Sequence, residues 1–263
     1  VFSEYLLNNM AKIIFLGTAS SVPTKKRDNT SFLFIRKKTT FLIDCPGAIV
    51  QKLLKVGVDF RKLKNIIITH QHPDHIYGII SLIHTQYCLN DNLNIFSNIH
   101  CIKIIKRLVK IFRLDKKEYP KIKYIDVFKT NFFYCRYGLK MRAIKNKHTK
   151  DSLGIKFSFE KKSLFYSSDT SFSLKTLQEA GRLNYLIHDC TASSSYFRKH
   201  PSLYKMHTSA SSLSQHLKNT PGTKLIPIHF LLLGKAEEKR IKKELDPLKK
   251  RLILVRDFQT VRV

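Results

Sequence analysis

A chain of 263 residues with 48 lysines and arginines against 19 acidic residues carries a formal net charge of +29. That charge directs it toward polyanions, nucleic acid before anionic membrane, although the Lys, Ile and Asn bias of an AT-rich genome accounts for the excess equally well. Five cysteines, odd in number and without a CxxC pair, fit a reducing, cytoplasmic compartment better than a disulfide framework, and no apolar run approaches the roughly 18 residues of a membrane span.

The opening stretch, residues 1–10, has neither the basic start nor the apolar core of a leader and reads as an extension ahead of the first strand. Lys12–Thr18 is a short apolar run closed by Gly17, the pattern of a buried strand. Ser31–Arg36 and Thr40–Asp44 flank Lys37-Lys38 as a hairpin. Ala48, Ile49, Lys52, Leu53 and Val56 recur at helical spacing, with Gly57 to end the helix. Ile66-Ile67-Ile68 is a second buried strand, and His75–Cys88 a helix after it. Leu93–Phe96 reads as a strand and Ile99–Phe112 as a helix, with Lys103, Lys106, Arg107 and Lys110 on a solvated face and Ile104, Ile105, Leu108 and Ile111 on the buried one. Strands rich in Lys and aromatic residues follow from Tyr124 to Tyr166. Tyr185–Ile187 and Lys224–Ile228 are short apolar strands ending at His188-Asp189 and His229; Ala236–Lys250 is a helix and Leu252–Val255 a last strand. Strands alternate with helices but hairpins interrupt them, and no segment resembles a linker. The expectation is one α/β domain over 1–263 with mixed sheets.

The densest chemistry lies in Thr69-His70-Gln71-His72-Pro73-Asp74-His75. Three imidazoles and a carboxylate within six residues are costly to bury as core but suited to a loop that embraces metal. Imidazole with carboxylate favours zinc, with manganese or iron(II) as alternatives. Four residues are too few to hold two ions, so further ligands are expected at strand ends: His148, Asp169 and His229. Lys25, Lys26 and Arg27 follow the first strand on a loop expected to border this site. There Lys25 and Arg27 would grip substrate phosphate, against the alternative of a solvated loop.

The chain resembles the metallo-β-lactamase superfamily, and within it the ribonuclease Z branch. The resemblance rests on Phe15-Leu16-Gly17-Thr18, Ile43-Asp44-Cys45, the His70–His75 motif, His148, Ser168-Asp169-Thr170, His188-Asp189-Cys190-Thr191, His207-Thr208-Ser209-Ala210 and Ile228-His229-Phe230. It implies an αββα sandwich of two mixed sheets with helices on the outer faces. It also implies two divalent ions, one held by His70, His72 and His148, the other by Asp74, His75 and His229, with Asp169 bridging them. Asp74 would orient the attacking hydroxide, and His207, backed by Asp189, would protonate the leaving oxygen. The implied substrate is RNA, with tRNA 3′ processing in view, and the implied assembly a homodimer. Three departures stand out. Asp189 replaces the usual Glu, Pro46-Gly47-Ala48 replaces Gly-Glu-Gly, and only residues 149–168 occupy the interval where the branch inserts a tRNA-gripping arm. That last departure keeps open a small-molecule hydrolase acting on cyclic or simple phosphodiesters, thioesters or lactones.

Overall fold

The computed structural model describes residues 10–89, 91–218 and 222–263. Residues 1–9 of the expected extension lie outside the described residues. The chain forms two compact units. Among the described residues, one takes in residues 10–17, Asn29–Lys129 and Arg256–Val263, and the other Thr18–Asp28 and Thr130–Val255.

The first unit is a seven-stranded mixed sheet. Strands β1 (Lys12–Gly17), β2 (Ser31–Arg36) and β3 (Thr39–Ile43) run antiparallel, and β4 (Asn65–Ile67), β5 (Asn92–Ser97) and β6 (Lys121–Asp126) continue from β3 in parallel. The β2–β3 turn falls at Lys37, as the sequence leads one to expect, with Lys37 at φ 51°. One sheet face packs Leu16, Leu33, Leu42, Ile66 and Ile95 against helices α1 (Ile49–Lys55), α3 (Gly78–Thr85) and α4 (Ile99–Ile111). Residues of the other parity, including Phe15, Phe32, Phe34 and Phe41, are fully buried as well. Burial on both faces is why these strands read as continuous apolar runs rather than as alternating ones.

Three sequence expectations need correction here. The single helix over His75–Cys88 is two, α2 (Pro73–Ile76) and α3, with Tyr77 between them. The Gly78 N–H donates to Cys45 O at 2.8 Å, and a Cβ at Gly78 would stand 2.0 Å from Pro46 O, so only glycine permits this approach. Helix α4 buries Cys101, Ile102, Ile105 and Val109, while Ile104 and Ile111 are 38% and 62% exposed. Its apolar residues populate two adjacent stripes, so periodicity alone does not choose between them. Leu252–Val255 is no strand: only Leu252 bridges to Leu225, and the last strand is β13 (Thr260–Arg262), an edge strand paired to β1. An edge strand needs no apolar run, which hid it.

The second unit is a six-stranded mixed sheet. Strands β7 (Tyr134–Arg136), β8 (Leu139–Lys145), β9 (Leu153–Phe159) and β10 (Lys162–Tyr166) form an antiparallel meander, and β11 (Tyr185–Asp189) and β12 (Lys224–Ile228) extend it in parallel from β10. Its core joins Phe165, Leu186 and Leu225 to α7 (Ala210–Leu217) and α8 (Lys235–Leu245), which follow the short helices α5 (Leu174–Ala180) and α6 (Ser194–Lys199). Between His148 and Asp169 stand only β9, β10 and their tight turn; no arm is inserted.

Candidate metal centre

Most of the candidate residues follow the carboxyl ends of strands: the His70–His75 motif after β4, His148 after β8, Asp169 after β10 and His229 after β12, with Asp189 closing β11; His207 precedes α7. In the first unit β3 and β4 are parallel neighbours, so Asp44, one residue beyond β3, meets the loop that leaves β4. Asp44 is fully buried. Its Oδ1 accepts from the Thr69 N–H at 2.8 Å and the Thr69 hydroxyl at 3.0 Å, and its Oδ2 accepts from His75 Nδ1 at 2.9 Å. Thr69 Oγ1 also lies 3.1 Å from His70 Nδ1. His75 Nε2 stands 3.4 Å from Asp74 Oδ2. The His70 ring sits 4.7 Å from that of His72 and 4.1 Å from that of His75. The four residues of the His70–His75 motif thus form one cluster, anchored from behind by Asp44.

The second unit gathers the rest. Asp169 Oδ2 is 3.0 Å from His229 Nε2 and 3.8 Å from His148 Nε2. His148 Nδ1 donates to Met206 O at 2.9 Å. His207 Nδ1 donates to Asp189 Oδ2 at 2.9 Å, and its ring stacks on His229 at 5.2 Å and lies 4.8 Å from His148. Asp189 also accepts from the Thr170 N–H at 3.1 Å and the Thr191 hydroxyl at 2.7 Å. That hydroxyl is 3.2 Å from His229 Nδ1. Asp189, His207 and His229 each bring a ligand atom within 4.8 Å of the others.

Strand alternation sends the neighbour of Asp189 the other way. His188 is buried, donates from Nδ1 to Asp189 O at 2.8 Å and faces Phe172; burial pushes its pKa down. It is a structural, neutral group.

The backbone is strained at the same strand ends. Asp44, Ser168 and His229 hold φ values of 57°, 53° and 65°, conformations that cost a non-glycine residue on the order of 1 kcal/mol or more and cluster where function fixes geometry.

The donor set fits divalent metal. His70, His75, His148 and His229 each have Nδ1 against a carboxylate, hydroxyl or carbonyl oxygen, which leaves Nε2 to carry the lone pair, as metal-binding imidazoles do. His229 Nε2 stands 3.0 Å from Asp169 Oδ2, a separation at which the two groups can share a cation.

The expected phosphate grip divides. Lys25 is exposed at the tip of its loop. Arg27 donates to Thr18 Oγ1 at 2.6 Å and Val255 O at 2.8 Å and lies over the Phe230 ring, so its guanidinium ties the loop down. Asp44, Thr69 and Thr191 did not stand out as site residues in the sequence. The available signal was a polar group closing an apolar strand, as in Phe41-Leu42-Ile43-Asp44.

A family model described as Anti-Pycsar protein Apyc1 matches residues 11–222. The ribonuclease Z of Picrophilus torridus is 34% identical over 156 residues, which is 58% of this chain and 48% of that protein. The chain therefore spans about half the length of that curated relative. The metallo-β-lactamase fold protein YhfI from Bacillus subtilis superposes with a TM-score of 0.78 at 16% identity, over 97% of this chain and 100% of that one. Human tRNase Z, short form, gives 0.75 at 16% identity, over 95% and 98%. The fold is accordingly the expected metallo-β-lactamase sandwich of two mixed sheets with helices.

Proposed function

This chain belongs to the Anti-Pycsar protein Apyc1 family, and from that premise we propose that it is a two-metal phosphodiesterase. The carrying observation is the pairing of a metal-type donor set with an imidazole–carboxylate dyad, His207–Asp189, at 2.9 Å. As the resemblance implies, His70, His72 and His148 would hold one ion and Asp74, His75 and His229 the other, with Asp169 available to both. Zinc suits so imidazole-rich a set, ahead of manganese and iron(II). When bound, such ions supply Lewis acidity and hydroxide at neutral pH.

The chain's own groups do the rest. Asp74 orients the nucleophile. His207, with Nδ1–H held by Asp189, presents Nε2 to donate a proton to the leaving oxygen, which an alkoxide needs and a phenolate does not. Lys25 meets substrate phosphate at the loop tip, with Arg27 fixing that loop. The bare β9–β10 hairpin, where ribonuclease Z inserts its arm, favours a compact substrate, a cyclic or simple phosphodiester. A second reading, RNA cleavage with tRNA 3′ processing, is favoured by the Picrophilus ribonuclease Z similarity and the net charge of +29.

Free cysteines throughout suit the cytoplasm, and among the described residues no helix is long and apolar enough to cross a membrane. A homodimer is in keeping with the apolar groove that Tyr77, Ile80, Ile104 and Phe112 line beside Gln71 and Pro73.

The test is a parallel assay of the zinc-loaded protein on a cyclic nucleotide, bis-p-nitrophenyl phosphate and precursor tRNA. Turnover of the small phosphodiesters at least tenfold above that of precursor tRNA supports the first reading. Precise 3′ cleavage of tRNA at the higher rate establishes the second, and no hydrolysis of any of them refutes both.

A further inference from the structure

The two halves of the donor set repeat one motif. A buried carboxylate takes one imidazole directly and a second through a threonine hydroxyl. In the first unit Asp44 accepts from His75 directly and reaches His70 through Thr69. In the second, Asp189 accepts from His207 directly and reaches His229 through Thr191. We propose that Thr69 and Thr191 are positioning residues whose hydroxyls lock His70 and His229 in the Nδ1–H tautomer, an inference that rests on the metal-centre reading for its use but not for its geometry.

Proton counting assigns the tautomers. A hydroxyl has one proton, and an ionised carboxylate can only accept. Thr191 Oγ1 lies 2.7 Å from Asp189 Oδ1, a charge-assisted distance, so its proton goes there. The contact from Thr191 Oγ1 to His229 Nδ1, 3.2 Å long, then needs a proton from the imidazole. His229 must carry it on Nδ1, and its Nε2 lone pair faces Asp169. Thr69 is bound in the same way: its Oγ1 is 3.0 and 3.1 Å from the two Asp44 oxygens, so the His70 Nδ1 contact at 3.1 Å is donated by His70. The relay has a further consequence in the second unit. Through Thr191, one carboxylate orients both the proton donor His207 and the ligand His229, so disturbing Asp189 reaches both.

Free imidazole favours the other tautomer, so loss of the hydroxyl should show in the ring nitrogens themselves. Long-range proton–nitrogen correlation spectra of the chelator-treated full chain, above the histidine titration range, report which nitrogen is protonated. The wild type should show Nδ1–H at both His70 and His229. Thr191→Val, which keeps the side-chain shape, should move His229 toward Nε2–H and leave His70 unchanged; Thr69→Val should do the converse, and Thr191→Ser and Thr69→Ser should restore the wild-type pattern. Zinc affinity, read by competition with a chromophoric chelator, should fall about 10–100-fold in the valine variants and recover in the serine ones. Nε2–H in the wild type, or a His229 tautomer indifferent to Thr191→Val, overturns the proposal. Should a valine variant fail to fold, the serine variants and the wild-type tautomers still decide. Correct tautomers in a protein that binds no zinc would leave the relay standing and remove the metal reading. Zinc binding unaltered in a folded Thr191→Val variant with an unaltered tautomer would do the reverse.

Discussion

Replacing His207 by Ala separates proton transfer from metal binding. The ring stacks on His229 and lies tilted beside His148, but the metal ligand set proposed above does not include it, so the variant should bind two ions as the wild type does. Loss of a general acid typically slows a reaction by about 10²–10⁴-fold, which corresponds to about 3–5 kcal/mol in the barrier. That full loss is expected for an alkoxide leaving group. For a nitrophenolate, which departs without protonation, the loss should shrink to below about tenfold. Asp189→Asn keeps the shape but removes the charge from the 2.9 Å contact. A hydrogen bond to a charged group contributes about 1.5–3 kcal/mol, so a loss of about 10–100-fold with the same leaving-group trend is expected. Steady-state rates on matched alkyl and aryl phosphodiesters, with metal content measured on the same samples, carry the test. Equal losses on both leaving groups would assign His207 to substrate binding, and loss of metal along with activity would make it a ligand.

Gly78→Ala should destabilise the fold by about 3 kcal/mol, the upper end for overpacking, because its Cβ would meet the Pro46 carbonyl at 2.0 Å; a denaturant midpoint within error of wild type would contradict the assigned approach. Ala48→Gly should raise stability by up to about 1 kcal/mol, since Ala48 sits at φ 55°, where a Cβ is strained. Burial holds the pKa of His188 down, so the unfolded chain takes up that proton first. Stability from His188 is therefore complete above about pH 6.5, the unfolded value, and is lost as pH falls below it. Thermal melts across pH 5–8 should flatten in this range for His188→Gln, and an unchanged slope would place the titration elsewhere.

The His70–His75 cluster is legible because three imidazoles and an aspartate in six positions after Ile66-Ile67-Ile68 are costly to bury without a partner. His148, Asp169 and His229 are suggested only by the order of motifs along the chain, since a single His at a strand end is more often structural. Asp44 escaped because its partners, Thr69 and His75, are 25 and 31 residues away, and such pairing is a property of parallel strand neighbours rather than of local pattern. The same holds for Arg27, whose bond to Val255 spans 228 positions and turns an apparent phosphate grip into a loop anchor. Helix α4 was found but rotated, because two apolar stripes compete on it. Helices α5 and α6, at seven and six residues, are too short for periodicity to reveal; they are set by the serine caps Ser173 and Ser193.

The proposed centre would take two metal ions on the seven residues His70, His72, Asp74, His75, His148, Asp169 and His229. The most direct measurement is a zinc titration of the metal-free protein with phosphodiester hydrolysis and bound metal recorded together. Activity should be absent at the start, rise with added zinc and level off at two ions per chain, and Asp169→Ala should lose most of both. Full hydrolysis by the metal-free protein, or saturation of activity without bound metal, would contradict it.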